Sequence, residues 1–346
     1  MEIEKVKNAL TMIERKATSL SDYQRRVLNG LKQIVPYQAG CFTTVDKDTL
    51  LSTGAVTDEC IEELHARLFE NEYRQEDLHS YKALVASNSR AAALRQAMQL
   101  NNKTCVRWQQ VIRPAGFTDE LRVVVMKERE CKGFMTLFRG HQHPFFNDED
   151  EEILSQLSQT IAEGLESIEN QLSLSFQEKP KHTEDTGVLT FSEKIELMAG
   201  NERGTMWLDK LRERENIQGS RLVPRPIRAI CSAATASLKN KKVMMRLRGE
   251  AFLTLEATPL IVDKKVISLA VLIRRAERDA IFPYLTNLYR LTNREREVLE
   301  KVMKGLSTKE IAAACYISPY TVQDHLKAIF EKTHVTSRRE LVRKFG

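Results

Sequence analysis

Apolar residues recur at helical spacing through residues 1–36, at Val6, Leu10 and Ile13 and again at Leu20, Val27, Leu28 and Leu31. No glycine precedes Gly30 and no proline precedes Pro36, and a break is expected around Ser19-Leu20-Ser21. AGCFTTVD (39–46) and TLLSTG (49–54) read as two short strands about the polar turn Asp46-Lys47-Asp48. Residues 57–100 return to a helical pattern, with Asn71 to Ser80 as an irregular polar insert. LRVVVMKE (121–128) and KGFMTLFR (132–139) predict a hairpin across a charged turn. A long helix follows over 147–172. Asn147 is placed to cap it, and Asp148, Glu149, Asp150, Glu151 and Glu152 suit the positive end of its dipole. The succession helix, strands, helices, hairpin, helix predicts an α+β sandwich with helices on an antiparallel sheet.

SLSFQEKPKHTEDT (173–186) is polar, lacks an apolar period and includes Pro180, so a linker is expected there. A second α+β block follows. Val188 to Phe191 reads as a strand, 203–213 and 225–238 as helices, and KVMMRLR (242–248), AFLTLEAT (251–258) and KVISLAVLIR (265–274) as three further strands.

The C-terminal pattern is sharper. Thr292…Glu295, Ser307…Glu310 and Ser337…Glu340 each have the spacing of a capping box, in which the hydroxyl and the carboxylate satisfy orphan backbone amides reciprocally. Ser318-Pro319 offers a cap followed by proline at the first helical position, where its missing N–H costs nothing. Helices are predicted over about 293–304, 308–315, 319–331 and 338–345, with Gly305 at the left-handed stop of the first. Val298, Leu299 and Val302, then Ile311, Ala312 and Cys315, then Val322, Leu326, Ile329 and Phe330, and finally Leu341, Val342 and Phe345 would close one small core. The connection Tyr316-Ile317 is short enough for a helix-turn-helix. At 100° per residue, Tyr320, Gln323, Asp324, Lys327 and Glu331 share the face of the third helix opposite that core. Gln can bond adenine twice, Asp can accept from cytosine, and Lys327 can meet phosphate or guanine. Thr308 and Lys309 open the preceding helix, where a donor and a cation suit the DNA backbone.

These patterns resemble known families. Element order and the phrase RPAGFTDELRVVV (113–125) make residues 1–172, with the N-terminal helix, similar to a GAF domain, a small-molecule sensor module. The block 187–280 is similar in topology to a PAS domain, and 281–290 is expected as a second linker. Residues 291–346 resemble the LuxR-type (FixJ-type) helix-turn-helix family. The residues that carry this are Leu291-Thr292, Arg294-Glu295, Val298-Leu299, Gly305, Ser307, Lys309-Glu310-Ile311-Ala312, Ile317-Ser318, Thr321-Val322, His325-Leu326, Ile329-Phe330, Lys332, Val335 and Ser337-Arg338. The resemblance implies an all-α four-helix domain that binds double-stranded DNA as a homodimer paired through its last helix. It assigns Gln323, Asp324 and Lys327 to the groove; from the reading of the helices, Tyr320, Thr321, Thr308 and Lys309 are also expected at the DNA. Members often carry Lys where Gln323 stands, so the implied contact there loses its positive charge. A receiver domain would need an early acidic pair and an Asp at a strand end. An acyl-homoserine-lactone domain would show a Trp-Tyr-Asp-Trp cluster, whereas the tryptophans here are Trp108 and Trp207.

Charge and composition refine this picture. The net charge of +6 is modest for 346 residues, but Leu291 to Gly346 holds 11 Lys/Arg against 7 Asp/Glu. That basic tail is an electrostatic footprint compatible with nucleic acid. No apolar run reaches a membrane span and no signal peptide is recognisable, so a cytoplasmic protein is expected. The six cysteines are scattered without a CxxC spacing, which points to reduced, packed thiols, including Cys105 beside Arg107 and Trp108. His141 and His143 lack a third ligand nearby and read as a loop rather than a metal site. Glu120 and Arg122 read as a solvated pair, and Lys239, Lys241, Lys242, Arg246 and Arg248 as defence of a sheet edge or an aid to DNA binding. No phosphate loop, nucleophile elbow or HExxH occurs, so no enzyme is expected, no cofactor can be named and no metal is implied. The expected function is a sequence-specific transcription regulator controlled by a signal sensed in the front regions, with a small-molecule effector in the GAF-like part. The alternatives are a ligand-sensing or partner-binding protein whose DNA-binding domain is not its main output, and an enzyme concealed in the GAF-like part.

Overall fold

The computed structural model describes residues 2–62, 64–74, 79–87, 89–101, 105–171, 186–217, 219–247 and 252–345. The linker expected at 173–186 therefore falls almost wholly outside the described residues, as does Arg248. The chain divides into two compact units, one reaching to Arg274 and one beginning at Arg275, with Phe252 joining the second.

The first unit opens with α1 (Glu2–Lys16) and α2 (Leu20–Leu31), then β1 (Ala39–Val45) and β2 (Ser52–Thr57). Next come α3 (Glu59–Glu62), α4 (His65–Arg74), α5 (Tyr81–Ala86), β3 (Ala91–Ala93), α6 (Leu94–Asn101) and a π-helical turn at Trp108–Ile112. The hairpin of β4 (Phe117–Lys127) and β5 (Glu130–Gly140) leads to α7 (Asp148–Gln171). The expected cap of α7 is present: Asp150 donates its amide to Asn147 Oδ1 at 2.9 Å. The break between α1 and α2 also falls as expected, with Ser19 Oγ accepting from the Asp22 amide. The described part of 57–100 is mostly helical as expected, in α3 to α6, with α4 running on to Arg74 inside the expected insert, of which 75–78 lie outside the described residues. The departure is strand β3, whose three alanines carry no β-branched signal.

The five strands run in the order β2-β1-β5-β4-β3 with antiparallel pairing. Leu121, Val123 and Val125 of β4 and Met135 and Leu137 of β5 meet Tyr23, Val27 and Leu31 of α2 and Leu157, Ile161 and Leu165 of α7 in one core. The other face is more polar and corrects half of the reading of Glu120 and Arg122: they do pair, at 3.5 Å, but in the interior rather than in water. Both are buried. Glu120 accepts from Arg107 at 2.6 and 2.9 Å, and Arg122 donates to Glu72 at 3.0 Å. With β3 and β5 on either side and helices above, β4 gives these charges no route to water, so pairing is what permits their burial.

The second block lies in the same unit. It comprises β6 (Gly187–Ser192), β7 (Leu197–Gly200), α8 (Glu202–Arg214), α9 (Arg225–Ser237), β8 (Lys241–Arg246), β9 (Phe252–Val262) and β10 (Lys265–Arg275). Its sheet order is β7-β6-β10-β9-β8, the order of the first sheet when strands are counted from each block's start. The exposed edge strand β7 was not foreseen, since Leu-Met-Ala-Gly has no alternation to read. Strand β8 is the opposite edge, so Lys241 and Lys242 sit where lysines protect an edge. Gly204 lets α8 lie hard against β6, because a Cβ there would come 2.5 Å from the Val188 carbonyl oxygen.

Helix α9 is buried from Arg225 to Ala234. Ile227, Ile230 and Cys231 pack with Trp207, Leu208 and the inner face of the second sheet. Arg225 and Arg228 reach the first block. Arg228 donates to Glu62 at 2.7 Å, and Arg225 pairs with Glu62 and Glu215 and donates to the Ala55 carbonyl at 3.3 Å. Nearby, His65 Nε2 lies 3.0 Å from Thr57 Oγ1 and 3.6 Å from Cys41 Sγ. Burial, and then the cations of Arg225, Arg228 and Arg107, hold this imidazole neutral.

The second unit contains α10 (Arg278–Leu288), α11 (Asn293–Met303), α12 (Thr308–Cys315), α13 (Pro319–Thr333) and α14 (Arg338–Phe345). Most of the linker expected at 281–290 is thus helical. Ile281 and Leu285, one turn apart, are buried, and Phe282 and Tyr289 place their rings 6.2 and 5.6 Å from that of Phe345. Apolar burial outweighs the helix-breaking signal of Pro283. Among the described residues no helix is long and apolar enough to cross a membrane. Nor does any group of three or more His, Cys, Asp or Glu suit a metal ion there, and His141 and His143 lie in a turn. The six cysteines are free, and all but Cys60 are buried.

Candidate nucleic-acid interface

Helices α11 to α14 each start where a side-chain cap stands, whereas Glu277 makes no such bond at the start of α10. Glu295 N donates to Thr292 Oγ1 at 3.3 Å while Thr292 N donates to Glu295 Oε2 at 2.7 Å. Ser307 and Glu310 repeat the arrangement at 3.4 and 2.7 Å. At α13 the Thr321 amide donates to Ser318 Oγ at 3.0 Å, with Pro319 at the first helical position. The third expected box is altered. Ser337 Oγ accepts from the Glu340 amide at 3.2 Å, but the Glu340 carboxylate reaches Thr336 N and Oγ1 at 2.7 and 2.9 Å instead of Ser337. The preceding hydroxyl offers it a second donor. Gly305 takes φ of 82°, as a left-handed stop requires.

These helices lock together through few polar bonds. Lys332 of α13 donates to Glu295 of α11 at 2.7 and 2.8 Å, so the carboxylate that caps one helix also holds the end of another. Burial pushes this carboxyl up, but the Lys332 ammonium and the Thr292 amide outweigh it and hold the group below the ordinary range. Lys344 of α14 donates to the Thr333 carbonyl at 2.6 Å, and Arg338 to that of Leu306. Val298, Leu299, Val302, Ile311, Ala312, Cys315, Val322, Leu326, Ile329, Leu341 and Phe345 are buried as expected, whereas Phe330 is half-buried and Val342 exposed.

That packing leaves one side of α13 open. Tyr320, Gln323, Asp324, Lys327 and Glu331 are exposed, while Val322, Leu326 and Ile329 are buried opposite. His325 is half-buried, at the margin between the faces. Thr321 is half-buried and its hydroxyl lies 2.8 Å from Ser318 Oγ, inside the cap. Thr308 is half-buried in the first turn of α12 and Lys309 beside it is exposed. Between the two helices Tyr316 turns the chain at φ 55°, ψ 45° with its side chain in solvent. Sequence reasoning passed over it as a connector, although its position in the turn was legible. The whole is a short helix, a tight turn and a longer helix with an unobstructed polar face within its own unit, the geometry that places a probe helix in a major groove.

Comparison with known proteins decides the family of this unit. Residues 289–345 match the profile of "Bacterial regulatory proteins, luxR family". They are a luxR-type domain. Its relatives include the "Uncharacterized transcriptional regulatory protein YhcZ" of Bacillus subtilis, 41% identical over 58 residues. That stretch is 17% of this chain and 27% of the relative. The "Transcriptional regulatory protein UhpA" of Escherichia coli is 46% identical over 54 residues, 16% of this chain and 28% of that one. The match thus spans little more than a quarter of either relative. Among solved structures, a GAF domain from a phosphoenolpyruvate-protein phosphotransferase of Coxiella burnetii is similar at 13% identity and a TM-score of 0.32, covering 49% of this chain and 95% of that one.

Proposed function

We propose that this protein is a sequence-specific DNA-binding transcription regulator rather than an enzyme. The observation that carries the reading is the open polar face of α13, presented opposite a closed core in a luxR-type domain. Gln323, Asp324 and Lys327 read base edges in the major groove, flanked by Tyr320 and Thr321. Thr308 and Lys309 hold phosphate at the start of α12, the helix that crosses the backbone. Two copies bind as a homodimer, so that half-sites lie about 10–10.5 base pairs apart. Selection by the full chain from a randomised duplex library tests this. Enrichment of a two-fold symmetric site is the expected outcome, and a pool no better bound than random duplex would sink it.

The front of the chain supplies control in this reading. The GAF-like block binds a small-molecule effector. The PAS-like block senses or transmits through α9, and the protein acts in the cytoplasm. Support comes from the Arg225 and Arg228 pairs with Glu62, which tie the two blocks into one unit. If the fragment 285–346 and the full chain bound the selected site identically under every signal tried, control by the front blocks would be refuted.

A further inference from the structure

The luxR-type domain displays two aromatic side chains that its fold does not use. Tyr316 leaves 95% of its surface open and Tyr320 leaves 74%. Neither ring meets a hydrogen-bonding or aromatic partner among the described residues. Tyr316 also holds a left-handed backbone at the end of α12, a conformation that favours Gly or Asn and is uncommon for a bulky residue. Burial of the ring, which would offset that strain, is absent. Stability of the unit therefore does not account for tyrosine at either position.

Charge narrows what these rings can be for. The open face of α13 carries Lys327 against Asp324 and Glu331, all exposed, so it has one positive charge and two negative. A face of that balance does not gather phosphate by attraction, and its contribution to binding has to come from base edges. In the major groove the apolar feature of a base edge is the thymine 5-methyl group. Tyr320 stands in the first turn of α13, one turn before Gln323 and Asp324, and the first residues of a probe helix are those that reach the bases. Tyr316 lies four residues earlier, in the turn itself.

We propose that Tyr320 and Tyr316 are specificity-determining residues that contact thymine methyl groups within each half-site. The aromatic carbons make the contact and the phenol oxygens are dispensable. This inference rests on α13 entering the major groove, and it adds a preference for thymine that the polar readers do not supply.

The test replaces thymines one at a time by deoxyuridine, which lacks only the methyl group, in a duplex selected by the full chain. Wild-type affinity falls about fourfold at one or two positions per half-site, the worth of one buried methyl-sized group. Tyr320→Ala and Tyr316→Ala each lower affinity for the thymine duplex and abolish the sensitivity at one of those positions. Tyr320→Phe and Tyr316→Phe keep it. Both rings are exposed, so an unchanged circular dichroism spectrum and thermal transition are expected for all four variants. A selected site without thymine, a wild-type protein indifferent to deoxyuridine, or alanine variants that still discriminate would overturn the proposal while leaving DNA binding intact. Phe variants that behave like Ala would assign the contact to the phenol oxygen and overturn it too. A wild-type chain that selects no duplex refutes the underlying reading instead, which is a separate and recognisable result.

Discussion

Glu295 caps α11 and grips the end of α13, so its loss should loosen two helices at once. In Glu295→Ala the Thr292 amide loses its acceptor, and a lost cap costs about 1 kcal/mol. Lys332 loses its carboxylate partner as well. Its side chain is 35% exposed, so water screens the pair and the loss is held to about 0.5–1 kcal/mol. Together these give about 2 kcal/mol, or close to thirtyfold faster exchange of the α11 and α13 amides. Glu295→Gln keeps a side-chain oxygen for the Thr292 amide and loses only the charge, so about 0.5–1 kcal/mol is expected. Native-state hydrogen exchange on the full chain, read on peptides from the two helices, measures both. The pH dependence follows from the same contacts. Because the folded carboxyl is held below its ordinary range, its contribution is complete above the unfolded pKa of about 4.3. It fades as pH falls through the folded value. Protection in the wild type should therefore decline on acidification through this group, and Glu295→Gln should lack that component. Equal losses in the Ala and Gln variants, or a change below about threefold in Glu295→Ala, would refute the assignment.

Other consequences can be measured separately. Lys327→Ala should weaken specific binding by about 1–3 kcal/mol if it reads a base, or lower the salt slope by about one if it holds phosphate; an unchanged shift assay removes it from the interface. Asp324→Ala should relax preference at one base position, seen by repeating library selection with the variant. Gly305→Ala should destabilise the luxR-type unit by about 1 kcal/mol in hydrogen exchange. At φ 82° the cost is backbone strain alone, since an added Cβ would meet nothing within 4 Å. Glu120→Ala strands the buried Arg107 guanidinium and should cost about 3–5 kcal/mol, visible as an earlier thermal transition of the first unit.

Legibility from sequence follows the reach of the interactions involved. The luxR-type helices were placed nearly residue by residue, because their caps, the Pro319 start and the Gly305 stop are written within three or four residues of each boundary. The open face of α13 was legible for the same reason, since helical periodicity alone separates Gln323 and Lys327 from Val322 and Leu326. Long-range partners were not. Glu120 looked solvated because Arg107 stands 13 residues before it, and Arg122 because Glu72 is 50 away. The joining of the two α+β blocks depends on Arg228 meeting Glu62 across 166 residues, and neither residue announces the other. Strands β3 and β7 are made by their neighbours rather than by propensity, since neither Ala-Ala-Ala nor Leu-Met-Ala-Gly carries a β-branched or alternating signal. Helix α10 was not legible because the burial of Ile281 and Leu285 and the meeting of Phe282 and Tyr289 with Phe345, which sustain it around Pro283, come from residues far along the chain.

Occupancy of the major groove by α13 is tested most directly by dimethyl sulfate protection of a selected duplex, since guanine N7 is reached only from that groove. With the full chain bound, protected guanines should fall in two clusters about one helical turn apart, and a variant carrying Gln323→Ala, Asp324→Ala and Lys327→Ala should leave them reactive. Unprotected guanines under saturating wild-type protein, or protection undiminished in the triple variant, would contradict the account.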